Sequence, residues 1–449
     1  MMALGAMSTF LLLWTSCSTK SYQRWVTLTD RGKKNVGVPS VSWYSSAFSL
    51  TVGLSVGLTI LSCEAGENPL WRHAPSPLMF ERLPVFEPTG SVISSAPTSR
   101  SWKTEINVKA HVATDFVTLQ QLDQEWKSFS PRRASGRAFQ SASLETTLAS
   151  DGWELGAWSK QSYVASAAAG ALYAINSYKS RSKLPEQQLM DLKTSITGLN
   201  RNGVRLAKTL TWDPAQQQND WKVNLTGSIN MFSLQRLTTF SSSGTLLVNS
   251  DDYRFDASAI RHDSSRSFNG FGSADSKGSG FSSDVGLMVE GGKDFFLNVS
   301  FVDFLSAARI QNVATESARF DSNVRAKDSD GNLLLRPSIM GKLSGNDLKI
   351  RPLQNTSILT GWRVPYATSF GNLILGARLE RLAPISLNTI WISLPLQNEC
   401  NAELDKELNF GSFGIGFRCS WVKAIVRSSS LDFGSATSLG FALSINKSW

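Results

Sequence analysis

Beyond residue 100 one pattern dominates the chain. Apolar and polar side chains alternate with a period of two, over segments longer than ordinary globular strands. Trp221, Val223, Leu225, Ile229 and Met231 alternate with Lys222, Asn224, Thr226, Ser228 and Asn230. Leu373, Leu375, Ala377 and Leu379 alternate with Ile374, Gly376, Arg378 and Glu380, and Phe413, Ile415, Phe417, Cys419 and Trp421 with Gly414, Gly416, Arg418 and Ser420. The last segment carries Leu439, Phe441, Leu443 and Ile445 and ends in Trp449. Strict alternation places one face of each strand against an apolar medium and the other against water. Two architectures satisfy it: a soluble sandwich whose apolar faces pack together, and a transmembrane barrel whose apolar faces meet lipid. The segments run ~9–14 residues against a usual ~5–6 for globular strands, and a tilted membrane-spanning strand needs ~9–11. The polar positions are often Gly, Ser, Asn and Thr, as a wet lumen requires. Trp212 and Trp221 bracket the polar loop 213–220, as interfacial aromatics would. The barrel is the stronger reading.

Turn chemistry supports the strands. Ser150-Asp151-Gly152 separates two alternating runs, and Gly291-Gly292 separates Val285-Leu287-Val289 from Phe295-Leu297-Val299-Phe301. Asp263 to Gly280 and Asn323 to Asn332 are polar and suit extracellular loops. One stretch departs from the period. Leu184-Pro185-Glu186 reads as a helix start, with Leu189, Leu192, Ile196 and Leu199 at helical spacing and an Ala-rich run, Ala165 to Ala174, before it. A short helix in a loop or in the lumen is expected there.

The first 65 residues read as an N-terminal extension and a signal peptide. Arg31, Lys33 and Lys34 lead into an uncharged stretch from Val36 to Cys63, followed by Glu64-Ala65-Gly66. At about 28 residues the stretch is also long enough for a membrane anchor, but seven serines dilute it. Ile60-Leu61-Ser62-Cys63 resembles a lipoprotein processing box. Residues 66–100 hold six prolines and read as a linker or plug-like segment, leaving 101–449 for the barrel.

Chemistry-bearing motifs are few. Gly-x-Ser-x-Gly, His-Glu-x-x-His and Cys-x-x-Cys are all missing from the sequence, and the three histidines leave little for a metal site. His111 and His262 are the residues a barrel-wall hydrolase would use; His262, in Arg261-His262-Asp263, reads more simply as a loop. Asp328-Ser-Asp330-Gly331-Asn332 resembles the start of a calcium loop, but Ile339 stands where the closing Glu belongs, so a tight turn is the better reading. No cofactor-binding motif is present. The formal charge of +9 is scattered rather than clustered, which gives nucleic acid no footprint. Cys400 and Cys419 flank a loop and a strand, and an oxidising compartment would let them pair across a hairpin or leave them as two thiols.

With this reading of the strands in place, the chain resembles a Gram-negative outer-membrane β-barrel protein. The resemblance rests on the export segment, the long alternation from Trp102 to Trp449, and a final strand, Gly440 to Trp449, with apolar residues at alternate positions. In such barrels a closing strand of this kind is the sorting signal that the assembly machinery reads; here Phe441, Leu443, Ile445 and Trp449 match and Lys447 departs. Gly278 to Gly286, followed by Phe301-Val302-Asp303-Phe304, is fainter in its similarity to barrels related to fatty-acid transporters. The resemblance implies an all-β transmembrane antiparallel barrel of roughly 12–16 strands, located in the cell outer membrane. Its expected partners are outer-membrane lipid, lipopolysaccharide and the barrel-assembly machinery. The expected role is non-enzymatic, a channel or transporter for a solute. The alternatives are a structural or secretion-associated barrel without transport, and a soluble exported β-sandwich that binds a ligand.

Overall fold

The computed structural model describes residues 102–448, apart from 123–125, 127–128, 130–134, 181–187, 213–220, 249–252, 266–275, 292–294, 323–324, 328–332, 336–338, 369–370, 383, 397–399, 420 and 433. The export segment, the Pro-rich stretch, Cys63, the Asp328–Asn332 turn and Trp449 lie outside the described residues. The chain forms β1 (Lys103–Thr114), β2 (Ser135–Ser150), β3 (Trp153–Ala168), α1 (Ala169–Ser180), β4 (Leu189–Asp191), β5 (Thr194–Trp212) and β6 (Trp221–Val248). There follow β7 (Tyr253–Asp263), β8 (Gly278–Gly291), β9 (Phe295–Asp321), the small pair β10 (Arg325–Lys327) and β11 (Leu333–Leu335), β12 (Ile339–Ile350) and β13 (Asn355–Thr368). The last are β14 (Gly371–Leu382), β15 (Ile385–Pro395), β16 (Asn401–Glu407), β17 (Phe413–Cys419), β18 (Val422–Ser428) and β19 (Ser438–Ser448). Each strand pairs antiparallel with its neighbour, and β1 pairs with β19 from Lys103↔Ser448 to Ala113↔Ser438. The sheet therefore closes on itself as a barrel of 14 strand positions. A sandwich is excluded, because the first and last strands share one ladder.

The barrel is inside out relative to a soluble protein. Trp212 and Met231 are each 67% exposed and Ile415 is 70% exposed, whereas Glu154 and Arg205 are each 2% exposed. The alternation explains this directly: on β6 Leu225, Ile229 and Met231 face out and Thr226, Ser228 and Asn230 face in. Exposed tryptophans gather at one end of the barrel. Trp153, Trp212, Trp221, Trp362 and Trp421 all lie within a few residues of the connections at that end. Lys208 stands over the Trp153 ring at 4.7 Å and donates to the Asp151 carbonyl. From Trp221 to Met231 is ten residues; at about 3.3 Å per residue and a tilt near 40°, the apolar exterior is about 25 Å tall, the height of a lipid-facing band. The girdle end carries both chain ends of the sheet and tight turns such as Asp151-Gly152, whose positive φ values of 51° and 73° make the left-handed hairpin turn. The opposite end carries the long connections 115–134 and 169–193. Short turns face the periplasm and long loops the exterior. The protein is a transmembrane β-barrel of the outer membrane.

Above the band, one side of the barrel rises further. β7 and β8 fill one position between β6 and β9, interrupted by residues 264–277. At the same height β6 carries an extra residue opposite Asn200/Arg201, and β9 an extra residue opposite Asn346/Leu348. Bulges bend and twist a sheet. Here they fall at one height on neighbouring strands, and Leu199, Leu234, Leu237, Ile310 and Val313 form one buried cluster beside them. The described ends of the polar segment expected to form an extracellular loop lie within this wall position, Asp263 opposite Thr238 and Gly278 opposite Leu234, and residues 266–275 lie outside the described residues. The helix does not sit where its spacing suggested. Leu189, Ile196 and Leu199 belong to strands and Leu192 to the connection between them, while α1 forms on the Ala-rich segment instead. The period-3.6 match was fortuitous: Ile196 and Leu199 fall on opposite faces of β5, which pairs with β3 from Thr194 to Lys208 and with β6 along its whole length.

The inside-out arrangement predicts unequal tolerance of charge. Ile415→Arg, in the lipid-facing band, should cost about 2–4 kcal/mol, while Ser300→Arg, facing the lumen, keeps its water and should cost little. The heat-modifiable gel shift of the folded barrel should fall in Ile415→Arg and persist in Ser300→Arg.

Candidate functional site

The chemistry of this chain faces inward, and glycine makes room for it. Directly across the ladder from Trp158 stands Gly203, from Phe232 Gly280, from Phe296 Gly361, and from Trp391 Gly376. A Cβ at Gly203 or Gly280 would come within 2.6 Å of the facing ring, and those at Gly361 and Gly376 closer still. The large rings therefore lie flat over the neighbouring strand, where a side chain would otherwise stand. Phe296 and Trp391 stack at 6.1 Å between centroids. This is why glycine recurs at the polar positions of the sequence pattern.

Ionic groups fill the wall between the rings. Arg205 pairs with both Glu145 and Glu154, drawing β2, β3 and β5 into one network. Asp284 accepts from Ser228 Oγ at 2.9 Å and from Asn230 Nδ2 at 2.8 Å, and its other oxygen accepts the Asp303 backbone N–H at 2.8 Å. Asp303 has φ 55° and sits in a bulge where β9 leaves the β8 register. The carboxylate of Asp284 thus holds the bulge, and the bulge projects Asp303 inward to a two-pronged pair with Arg201 at 3.2 and 2.9 Å. Arg201 also lies over the rings of Trp158 and Phe232 at 5.7 and 5.1 Å. A second network lies on β16–β18: Glu403 pairs with Arg418 at 2.8 Å and Lys423 at 3.5 Å, and Asp405 with Arg427 at 2.8 Å. Buried charges of this kind persist only when paired and hydrogen-bonded.

Toward the outer end the lumen changes character. Ala113, Phe139 and Val164 from β1–β3 meet Ile385 and Leu387 from β15, nearly opposite in the ring, together with Phe410 from the β16–β17 connection. The Phe139 and Phe410 rings meet edge to face at 5.5 Å. The connection is held inward: Glu407 accepts the backbone N–H groups of Asn409 and Phe410, each at 2.7 Å, Lys406 donates to the Gly411 carbonyl at 2.9 Å, and Asn409 Oδ1 accepts from the Asn388 N–H at 3.1 Å. An apolar contact spans the lumen above a charged, hydrophilic segment.

The residues singled out by sequence are distributed as follows. Cys400 and Cys419 are joined in a disulfide at the periplasmic end, with Cα atoms 4.2 Å apart. Phe441, Leu443 and Ile445 lie on the lipid side of β19, paired with Val426, Ala424 and Val422. His111 points into the lumen, its Nε2 3.1 Å from Ser438 Oγ, with its ring against Phe139; Ser438 is fully buried. His262 lies on β7, a strand rather than a loop, in the wall above the band. There its Nδ1 is 2.9 Å from Thr315 Oγ1, and burial pushes its imidazole below the ordinary value. The two histidines share no site. Asp284 and Asp303, quoted in the faint similarity, do come together. Among the described residues no cluster of metal-ligating side chains is present. Sequence alone did not disclose the two ion networks or the apolar contact, because each joins strands whose register cannot be read from alternation.

No family model matches the chain, and no curated protein does. Among solved structures, the TodX deltaS2S3 mutant monoaromatic hydrocarbon channel aligns with a TM-score of 0.36 at 8% identity, covering 79% of this chain and 91% of that one. The P. putida toluene transporter TodX aligns with a TM-score of 0.31 at 10% identity, covering 79% and 89%. The outer membrane protease OmpT from Escherichia coli aligns with a TM-score of 0.21 at 7% identity, covering 80% and 99%. The fold is established by strand register and not by these likenesses.

The Arg205 network makes a stability prediction. Arg205→Met leaves two buried carboxylates without their cation and should destabilise by about 3–5 kcal/mol. Adding Glu145→Gln and Glu154→Gln should recover most of that loss. Urea unfolding midpoints in detergent micelles measure both.

Proposed function

We propose that the barrel is an outer-membrane channel for a small solute, closed in this conformation by the Phe139–Phe410 contact. The observation that carries the reading is the change along the lumen from a charged segment to an apolar contact at the outer end. Inward-facing charges in a wide barrel are most favourable beside water, whereas an apolar constriction gates by excluding it. The closing element is a five-residue connection, 408–412, anchored by hydrogen bonds from its own ends. Such a connection can move without breaking the barrel ladder, which runs through the strands on either side. A scaffold barrel without transport would gain nothing from that arrangement.

Catalysis is disfavoured on the same geometry. Ser438, the hydroxyl beside His111 on the inner face of the barrel, is fully buried, so a substrate does not reach it. The expected partners are unchanged by this reading: outer-membrane lipid and lipopolysaccharide around the apolar band, and the barrel-assembly machinery acting through the closing strand.

Conductance in planar bilayers tests the reading. The wild-type barrel should show low or intermittent conductance, and Phe410→Ala should raise it severalfold by opening the outer end. Absence of conductance from both proteins, with both folded, would favour the structural barrel.

A further inference from the structure

Closure of the ring removes the sheet edge inside the bilayer, but above the band one edge returns. The raised part of the wall is a sheet in the order β4, β6, β7, β9 and β12. β12 pairs with β9 from Ile339↔Phe320 to Ile350↔Ala308 and with no other described strand. β13, lower in the same wall position, pairs on both sides, with β9 and with β14. β14 stops at Leu382, opposite the first residue of β13, so it does not reach β12. The other margin of the raised sheet is closed. β4 is three residues long and the start of α1 lies against it, where a Cβ on Gly170 would stand 2.6 Å from the Asp191 carbonyl oxygen.

The free edge of β12 is regular and firmly seated. The extra residue of the bulge near Asn346/Leu348 lies on β9, so β12 itself alternates without a break over its 12 residues. Leu348 and Ile350 pack on the buried cluster that holds Leu234 and Ile310, while Met340, Gly341, Lys342, Gly345 and Lys349 are exposed. Backbone groups on the free side of β12 bond no described residue. Such an edge is a template for another strand, and an edge already ordered lowers the cost of binding. Charge selects the strand. Lys342, Lys349 and Arg351 lie along the edge without an ion pair to a described residue, and the one acid of β12, Asp347, is taken by Arg309 at 2.9 Å. Lys342 and Lys349 fall on opposite faces of β12, so each face of an added strand meets a cation.

We propose that the free edge of β12 captures an extended acidic segment of another protein as an added strand, above the bilayer on the outer side. The inference is independent of the channel reading and survives its failure. Backbone hydrogen bonds to the edge supply affinity, and carboxylates against Lys342, Lys349 and Arg351 supply selectivity. A second copy of this chain is a poor occupant. Two barrels upright in one membrane are related by an axis along its normal, so strands tilted near 40° would cross at about 80° instead of running side by side. The same axis sets each Lys342 at the height of its mate, and like charges across a sheet repel. Lysine on an edge discourages the pairing of like edges, which leaves an acidic strand as the fitting partner.

The test is binding of fluorescent, end-capped ten-residue peptides to the full-length detergent-solubilised barrel, read by anisotropy. All probes are built on valine and threonine. One carries four glutamates, two on each face; one carries four lysines in their place; one is the glutamate peptide N-methylated at every amide, which keeps its charge but donates nothing to a ladder. The wild-type protein should bind the glutamate peptide about tenfold tighter than either of the others. Lys342→Glu/Lys349→Glu should reverse the preference between the glutamate and lysine peptides. Arg254→Gln, which removes an exposed cation of β7 away from the edge, should leave it unchanged. The heat-modifiable gel shift establishes that each protein is folded. If the charge-reversed variant does not fold, Lys342→Gln/Lys349→Gln replaces it, with the preference lost. Absence of glutamate-peptide binding up to about 1 mM overturns the proposal. Equal affinity for the N-methylated peptide overturns it by reducing the edge to charge contact, and an unchanged preference in the lysine variants overturns it by placing the peptide elsewhere. A wild-type dimer in the ultracentrifuge that the glutamate peptide dissociates overturns it as well, by assigning the edge to a second copy.

Discussion

Everything in this structure depends on the closure of one hydrogen-bonded ladder. In the bilayer core an unpaired backbone N–H or C=O costs several kcal/mol, so a sheet crossing it can have no edge. The pairing of β1 with β19 removes the edge, over eleven residue pairs from Lys103↔Ser448 to Ala113↔Ser438. Once the ring is closed, the period of two has only one consistent solution. Every apolar residue of Phe413–Cys419 must face lipid and every glycine of that strand the lumen. A one-residue slip would reverse the whole strand, and the buried Gly414 and Gly416 would exchange places with Phe413, Ile415 and Phe417.

The interior is shaped by the same register. A ring such as Trp391 or Trp158 needs a glycine directly opposite, and a buried carboxylate such as Glu154 needs a cation within reach. Both needs are met between neighbouring or nearly neighbouring strands. The inner wall is therefore finished locally, strand by strand, before any contact across the lumen is made. The Phe139–Phe410 contact is different. It joins opposite sides of the ring and hangs on a connection, which makes it the part of the interior best placed to open.

Much of this architecture was legible in the residues. The face of each strand followed from alternation, and the hairpin at Asp151-Gly152 from its turn residues. Trp212 and Trp221 mark the periplasmic girdle, although Trp153, Trp362 and Trp421 also contribute to it. Other features were not legible, for physical reasons. Arg205 and Glu145 sit on strands separated by another strand, so no local spacing links them. Asp303 reaches Arg201 only because a bulge shifts it off the register. The helical spacing of Leu189, Leu192, Ile196 and Leu199 was outweighed by pairing of β5 on both sides, and an Ala-rich segment took the helix instead.

The central claim is that the apolar face of the alternation meets lipid around a closed ring. Single cysteines placed in turn at Phe413 to Phe417 in a background in which Cys17, Cys63, Cys400 and Cys419 are replaced by serine, each carrying a nitroxide label in reconstituted vesicles, test it directly. Labels at 413, 415 and 417 should be relaxed by oxygen, which partitions into lipid, and labels at 414 and 416 by a water-soluble nickel complex. Uniform access of the nickel complex to all five positions, or a reversal of the two sets, would contradict the account.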